Sequence, residues 1–364
     1  METHNMGLKN KKYENPGTFK IDPAKAAEYA KILRAVSKVK VAVVGDIVAD
    51  EYITGSCERI SREAPVLILR HEDSRVTPGG AGNAAANVAA IGARVYSIGV
   101  LGREREAAGV IGFFKKNRVE SRYTVKSASY ETCVKTRIMS GSLHTTLQQV
   151  IRIDRGGEKP VGDADARKLL DGFEKIVGTV DSVLISDYNC GLFGDYFCER
   201  LQRILKKEYS KRHIFVVVDS RHRLFDFKDA YVATPNESEA REASGIRISD
   251  RKSLIACGRA LLEKTGDRSM LITRGSEGMA FFDEKGALHE IPITRRDEIA
   301  DVTGAGDTVA AVLVSTLPLA RKNPVLSVEL ANIASGVKVM KRGTAQVSVN
   351  EITREIERIE NFQK

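Results

Sequence analysis

Among the 364 residues, the segment Asp301-Val302-Thr303-Gly304-Ala305-Gly306-Asp307-Thr308 carries the residue types that anion chemistry needs. Small residues at 303–306 let successive backbone amides point into one space. The apolar run over 304–320 predicts a long helix, whose dipole favours negative charge at its start. Asp307 falls in the first turn of that helix. It reads either as a helix-start carboxylate interacting with the dipole or as an acid–base group beside a bound anion. Gly79-Gly80-Ala81-Gly82-Asn83 also has two readings. It is a glycine loop that lets an alanine-rich helix pack closely, or one that turns amides and Asn83 toward a polar ligand. It is not a dinucleotide fingerprint, because it does not follow the first strand and lacks the motif's final small-residue pattern. Asp46, Asp50 and Asn83 would offer converging donors and acceptors to a polyhydroxylated ligand if they meet at one sheet edge.

Two further segments suit phosphates. In Thr234–Ala240, Pro235 stops a strand and Asn236 caps a short helix. Asn236 and Glu239 would also suit a nucleotide phosphate or its metal shell. Ile272–Met279 reads as a hairpin whose Thr273, Arg274 and Gly275 would reach phosphates.

The elements that must position these residues follow an αβ rhythm. Residues 40–46 form a short apolar run that predicts a buried strand delivering Asp46 to its C-terminal end. Residues 65–70 predict a second strand and 93–102 a third, with helices expected over 23–37, 84–92 and 104–117. Residues 119–155 lose helical periodicity. They predict an antiparallel β lid, paired with the strand near 65–70 and able to close over a site. The rhythm returns from 165 onward. Strands alternating with helices of ten or more residues imply a mostly parallel sheet covered on both faces, with ligands beyond the strands' C-terminal ends.

Composition narrows the class. Apolar residues at 42% and charged residues at 29% fit a globular α/β protein. The net charge of +9 allows an anionic ligand without requiring one. With no Trp and no basic tract interleaved with aromatics, no nucleic-acid partner is expected. Cys57, Cys133, Cys190, Cys198 and Cys257 are odd in number and match no metal spacing, so thiols in a reducing cytoplasm are expected. The polar N-terminus predicts neither signal peptide nor membrane span, and residues 1 to about 20 read as a loosely docked tail. The expected organisation is a tail with a first helix over 1–37 and a single domain over 38–364.

The long motif at 301–308 resembles the C-terminal signature of the ribokinase-like (PfkB) carbohydrate kinases, and the resemblance extends over residues 38–358. Within that family the segments 45–52, 59–66, 79–92, 186–188, 234–240 and 272–279 are similar to bacterial heptose-7-phosphate kinases, the kinase part of bifunctional enzymes that also carry a nucleotidylyltransferase domain. The resemblance implies a three-layer α/β/α fold with a mostly parallel central sheet and a small β lid, formed by about 50–76 and 119–154 and often used for dimerisation. It implies ATP, Mg²⁺ and K⁺, and transfer of a phosphoryl group to a sugar phosphate. Asp307 resembles the catalytic base, and Gly304, Ala305 and Gly306 the anion hole. Asp46, Asp50, Gly79, Gly80, Asn83, Lys135 and Arg137 match sugar-side positions. Asn236 and Glu239 match the pair near phosphates and Mg²⁺, Thr273, Gly275 and Asn332 match nucleotide-side positions, and Asp301 is the implied monovalent-cation ligand.

Two departures bear on the acceptor. Residues 135–149 contain an insertion and no Arg after Ser140, and Cys190-Gly191 stands where a Lys-Gly is common. Each change removes a positive charge where a sugar phosphate would be held, which Arg137, Arg152 or His144 would have to replace. A kinase for another sugar or nucleoside, a non-catalytic sugar- or nucleotide-binding protein and a nicotinamide-linked enzyme are the competing readings. The intact 301–308 segment opposes the second, and the misplaced glycine motif the third.

Overall fold

The computed structural model describes residues 19–141, 147–294 and 299–361. In chain order the elements are α1 (Pro23–Ala35), β1 (Lys40–Gly45), β2 (Ile47–Ile60), β3 (Leu67–Gly80), α2 (Ala81–Ile91), β4 (Arg94–Ile98), β5 (Val100–Leu101), α3 (Arg105–Lys116), β6 (Val125–Lys126), β7 (Cys133–Gly141), β8 (Gln148–Arg155), α4 (Asp163–Val177), β9 (Ser182–Asp187), α5 (Asp195–Tyr209), β10 (Phe215–Ser220), β11 (Val232–Ala233), α6 (Glu237–Ser244), α7 (Arg251–Thr265), β12 (Ser269–Thr273), β13 (Met279–Phe282), β14 (Leu288–Ile291), α8 (Ala305–Thr316), α9 (Val325–Lys338) and α10 (Val349–Asn361).

The central sheet has the order β14-β13-β12-β11-β10-β9-β1-β4. Its strands are parallel from β4 to β12, and β13 and β14 complete it as antiparallel neighbours. The inner strands are apolar at their centres and buried along almost their whole length, because helices cover both faces. Two apolar clusters lie on the two sides. One joins the sheet to α1, α2, α8, α9 and α10, and the other to α4, α5 and α7. Phe19, expected at the edge of a loose tail, is buried in the first cluster. Lys25 and Tyr29 of α1 both bind Glu329 of α9, which docks the first helix onto the body. Residues 1–18 of the expected tail lie outside the described residues.

A second sheet has the order β3-β2-β7-β8. It grows out of the first without a connection, since β1 ends at Gly45, Asp46 follows, and β2 starts at Ile47. Three expectations need correction. β7 pairs with β2, not with the strand near 65–70, and it does so in parallel, so this sheet is mixed rather than antiparallel. Of residues 119–132, only Val125–Lys126 is a named strand, and it pairs with β5 against the body. The Gly79-Gly80 segment is not a loop, because it ends β3 and α2 begins at Ala81. Gly80 makes that junction with φ of +55°, a left-handed value that other residues rarely adopt. The alanine-rich α2 then packs against α8, and Asn83 and Asn87 of α2 reach Asp307 and Thr308 of α8 across that contact.

Candidate active site

The C-terminal ends of β1, β9 and β10, the end of β3 and the start of α8 converge on one place. Gly304 is the N-cap of α8 with φ of +78°, and a Cβ there would stand 2.7 Å from Nδ2 of Asn83. The position therefore demands glycine both for its backbone and for the space Asn83 uses. Ala305 N donates to Val302 O at 3.1 Å, so that amide already has a partner. The amides of Gly304 and Gly306 make no hydrogen bond among the described residues and remain open to an anion.

Asp307 is buried in the first turn of α8. Tyr188 Oη donates to its Oδ1 at 2.5 Å, and Asn83 Nδ2 donates to its Oδ2 at 2.6 Å. Asn87, one helical turn after Asn83, donates to Asn83 Oδ1 at 3.2 Å and so fixes which end of that amide faces Asp307. Burial raises the Asp307 carboxyl above the usual carboxylate range, although Tyr188 and Asn83 pull the other way. The donors act in the expected sense, but desolvation outweighs them.

The predicted sugar-side residues divide into two groups. Asn83 faces Asp307 directly. Asp50, on β2, is buried and ion-paired with Arg137 of β7 across a parallel register that sets Asp50 opposite Lys135. A Cβ at Gly79 would lie 2.5 Å from Asp50 Oδ2, so Gly79 makes room for that carboxylate. Asp46 is turned elsewhere. Its carboxylate accepts the amides of Tyr188, Cys190 and Leu192, which shapes the loop after β9. Burial still pushes its carboxyl up to about 6. Lys135 lies with its Nζ 5.7 Å from the Tyr188 ring centroid and lines a cavity of about 640 Å³ between β7–β8 and residues 187–194. Cys190, where a lysine was expected, is buried with Val48 and Cys133 in the floor beneath Tyr188.

On the other side, Asn236 and Glu239 form a capping box. Asn236 Oδ1 accepts the amides of Ser238 and Glu239, and Glu239 Oε2 accepts Asn236 N at 2.8 Å. Burial raises the Glu239 carboxyl. Thr273 N donates to Pro235 O, which brings the end of β12 beside Asn236. Gly275 follows with open space where a side chain would be. Asn332 is held by α9 and donates to Pro292 O at 2.8 Å. Asp301 accepts the amides of Thr303 at 2.8 Å and Gly343 at 2.7 Å, a clasp on the approach to α8. Burial opposes ionisation of Asp301, but these amides win and hold its carboxyl low.

Four residues escaped sequence reasoning: Tyr188, Asp219, Arg221 and Asn87. Asp219 is near the end of β10, and burial, with the charges of Asp307 and Glu239, pushes its carboxyl up to about 8. Arg221 follows β10, and its guanidinium carbon stands 4.4 Å from the Tyr188 ring centroid. Tyr188 and Arg221 each sit just after a sheet strand, the position to which ligand contacts are expected in such folds, and that was the available signal.

Bifunctional protein HldE of Geobacter sulfurreducens is 36% identical over 311 residues, covering 85% of this chain and 61% of that protein. HldE of Pseudomonas aeruginosa is 37% identical over 320 residues, covering 87% of this chain and 64% of that protein. The chain thus spans less than two thirds of the length of these relatives. Among solved structures, Arabidopsis thaliana ribokinase complexed with ribose and ATP superposes with a TM-score of 0.67 at 17% identity, covering 88% of this chain and 99% of that one. Escherichia coli phosphofructokinase-2 in complex with potassium gives 0.68 at 15% identity, with the same coverage of 88% and 99%. Residues 38–351 match the pfkB family carbohydrate kinase description, and with a buried aspartate at the start of α8 facing the ends of a ribokinase-like sheet, the chain belongs to that family.

Proposed function

We propose that this chain transfers the γ-phosphoryl group of ATP to O1 of D-glycero-D-manno-heptose 7-phosphate, giving heptose 1,7-bisphosphate and ADP. The observation that carries the reading is Asp307, a buried carboxylate oriented by Tyr188 and Asn83 beside the free amides of Gly304 and Gly306. The acceptor hydroxyl gives its proton to Asp307 as its oxygen bonds to the γ-phosphorus, and the electron pair of the breaking bond leaves on ADP. A carboxyl raised by burial is the stronger base for this step. The open helix-start amides stabilise charge on the migrating group.

Asp219 and Glu239 are the carboxylates that fit Mg²⁺. Both are pushed up by burial, and neither has an ion-pair partner among the described residues. No cluster of three metal-ligating side chains occurs among the described residues, which suits an ion held by one or two carboxylates together with phosphates. Mg²⁺ supplies charge neutralisation at the phosphates when bound. Asp301 would reach K⁺ only through lone pairs left by the Thr303 and Gly343 amides; a K⁺ titration of turnover reads whether it does.

Lys135 supports a phosphorylated acceptor. Arg137 is occupied by Asp50, Arg152 is paired with Asp154, and His144 lies outside the described residues, whereas Lys135 has no ion pair among them. One observation favours a second reading, an acceptor that carries no phosphate of its own. Lys135, Arg155 and Arg223 share the cavity lining with Asp154, Glu158 and Asp187, so its charge is balanced. ADP release measured against a panel of sugars and their phosphates separates the two. Preference for unphosphorylated sugars overturns the heptose-phosphate assignment.

The sheet β3-β2-β7-β8 serves in this reading as a lid and a dimer surface. Ile60, Val66, Leu67, Val150, Ile151 and Ile153 leave an exposed apolar surface along it, and β3 and β8 are open edges. Sedimentation should give a dimer, and Ile151→Glu should shift it toward monomer. A monomeric unsubstituted chain overturns the pairing.

A further inference from the structure

The parallel register of β9 and β10 sets Ser220 opposite Asp187, so the residues that follow, Arg221 and Tyr188, leave the sheet side by side. The Arg221 guanidinium lies 4.4 Å from the Tyr188 ring centroid, and that ring carries the hydroxyl bound to Asp307. Arginine stacked in this way keeps its edge, with its N–H donors, free to point outward. The neighbouring basic residues are otherwise engaged. His222 faces Glu242, and Arg223 is ion-paired with both Asp195 and Asp226. Arg221 is exposed and has no ion pair among the described residues. It stands two residues after Asp219 at the end of β10, and through the Tyr188 ring it lies beside the side chain that binds Asp307. A cation held on the ring that binds the Asp307 carboxylate, and ion-paired with no carboxylate among the described residues, is suited to a polyanion that arrives later.

We propose that Arg221 is a catalytic residue whose guanidinium binds the oxygens of the phosphoryl group while it passes from ATP to the acceptor. The inference rests on the kinase reading and extends it to a residue outside the glycine-rich motif. Asp307 takes the acceptor proton, the new O–P bond forms, the bond to the ADP oxygen breaks, and Arg221 holds the spreading charge on the non-bridging oxygens. The Tyr188 ring fixes the plane of the guanidinium. The same tyrosine thereby aligns the base through its hydroxyl and the cation through its face.

The test compares Arg221→Ala and Arg221→Lys with the unsubstituted enzyme. An arginine that stabilises a transferring phosphoryl group is worth roughly 10³–10⁵ in turnover, so Arg221→Ala should lose kcat by about 10³-fold. ADP affinity should stay within a few-fold, because ADP lacks the transferred group. Lysine keeps the charge without the planar fork and should fall between the two. Added guanidinium chloride should restore part of the alanine variant's turnover, which a merely structural role would not allow. A kcat within threefold of the unsubstituted enzyme overturns the proposal. So does a loss of kcat accompanied by lost ADP affinity and no guanidinium rescue. An unsubstituted enzyme that releases ADP with no sugar in the panel overturns the kinase reading itself, and is thereby distinguished from a failure of Arg221 alone.

Discussion

The hydroxyl of Tyr188 donates to Oδ1 of Asp307 at 2.5 Å, joining the end of β9 to the first turn of α8 across 119 residues of sequence. The bond favours the ionised carboxylate, while burial disfavours it. Tyr188→Phe removes the favourable part and leaves the desolvation. The carboxyl should rise further, and the acidic limb of the kcat/KM profile should move to higher pH. Turnover should therefore fall more at low pH than at high pH. An acidic limb in the same place would show that Asp307 does not set it.

Asp307→Asn keeps the shape of the side chain and removes the base. Turnover should fall at least about 100-fold, within the usual range for general-base loss. Nucleotide affinity should change little. The melting temperature should hold or rise, because a buried carboxylate with a raised pKa is replaced by a neutral amide. Near-normal kcat would remove Asp307 from the proton transfer.

Lys135 and Arg137 lie two residues apart on β7, yet they should fail differently. Lys135→Ala should raise KM for a phosphorylated acceptor more than for its unphosphorylated analogue, with little change in melting temperature. Arg137→Ala leaves the buried Asp50 without its partner. Breaking a buried pair from one side costs about 3–5 kcal/mol, so this variant should be thermally weak whichever acceptor is used. Calorimetry and steady-state kinetics on the two variants check the split, and equal KM effects on both acceptors would exclude Lys135 as the phosphate contact.

Asp219 ties stability to pH. Its carboxyl ordinarily titrates near 3.8 and is pushed up to about 8 in the folded chain. Between these values the native state retains a proton that the unfolded state has lost, so this residue's contribution makes stability fall as pH rises from about 4 to about 8. Above that window both states are ionised and the contribution is level. In buffer free of nucleotide and divalent ions, Asp219→Asn should raise the melting temperature, by more at about pH 8 than at about pH 5. An increment independent of pH would mean that the folded state holds Asp219 ionised throughout.

The residues at 301–308 determined a great deal by themselves. Glycines before an almost wholly apolar helix can hardly avoid presenting open amides, and an aspartate in that first turn must meet whatever they bind. The alternation of apolar strands with long helices likewise implied a covered parallel sheet, because each buried strand needs cover on both faces. Only the tertiary structure decided the company Asp307 keeps. Strand order puts β9 and β10 side by side and so stacks Arg221 on Tyr188, a relation that no local spacing encodes. The parallel register of β2 and β7 turned Arg137 into Asp50's partner and left Lys135 without an ion pair among the described residues. Burial, which exists only after packing, reversed the balance at Asp307, where the donors alone would have held its carboxyl low. Local sequence specifies which backbone groups and side chains are present; long-range packing sets their neighbours and their dielectric, and those two quantities govern charge.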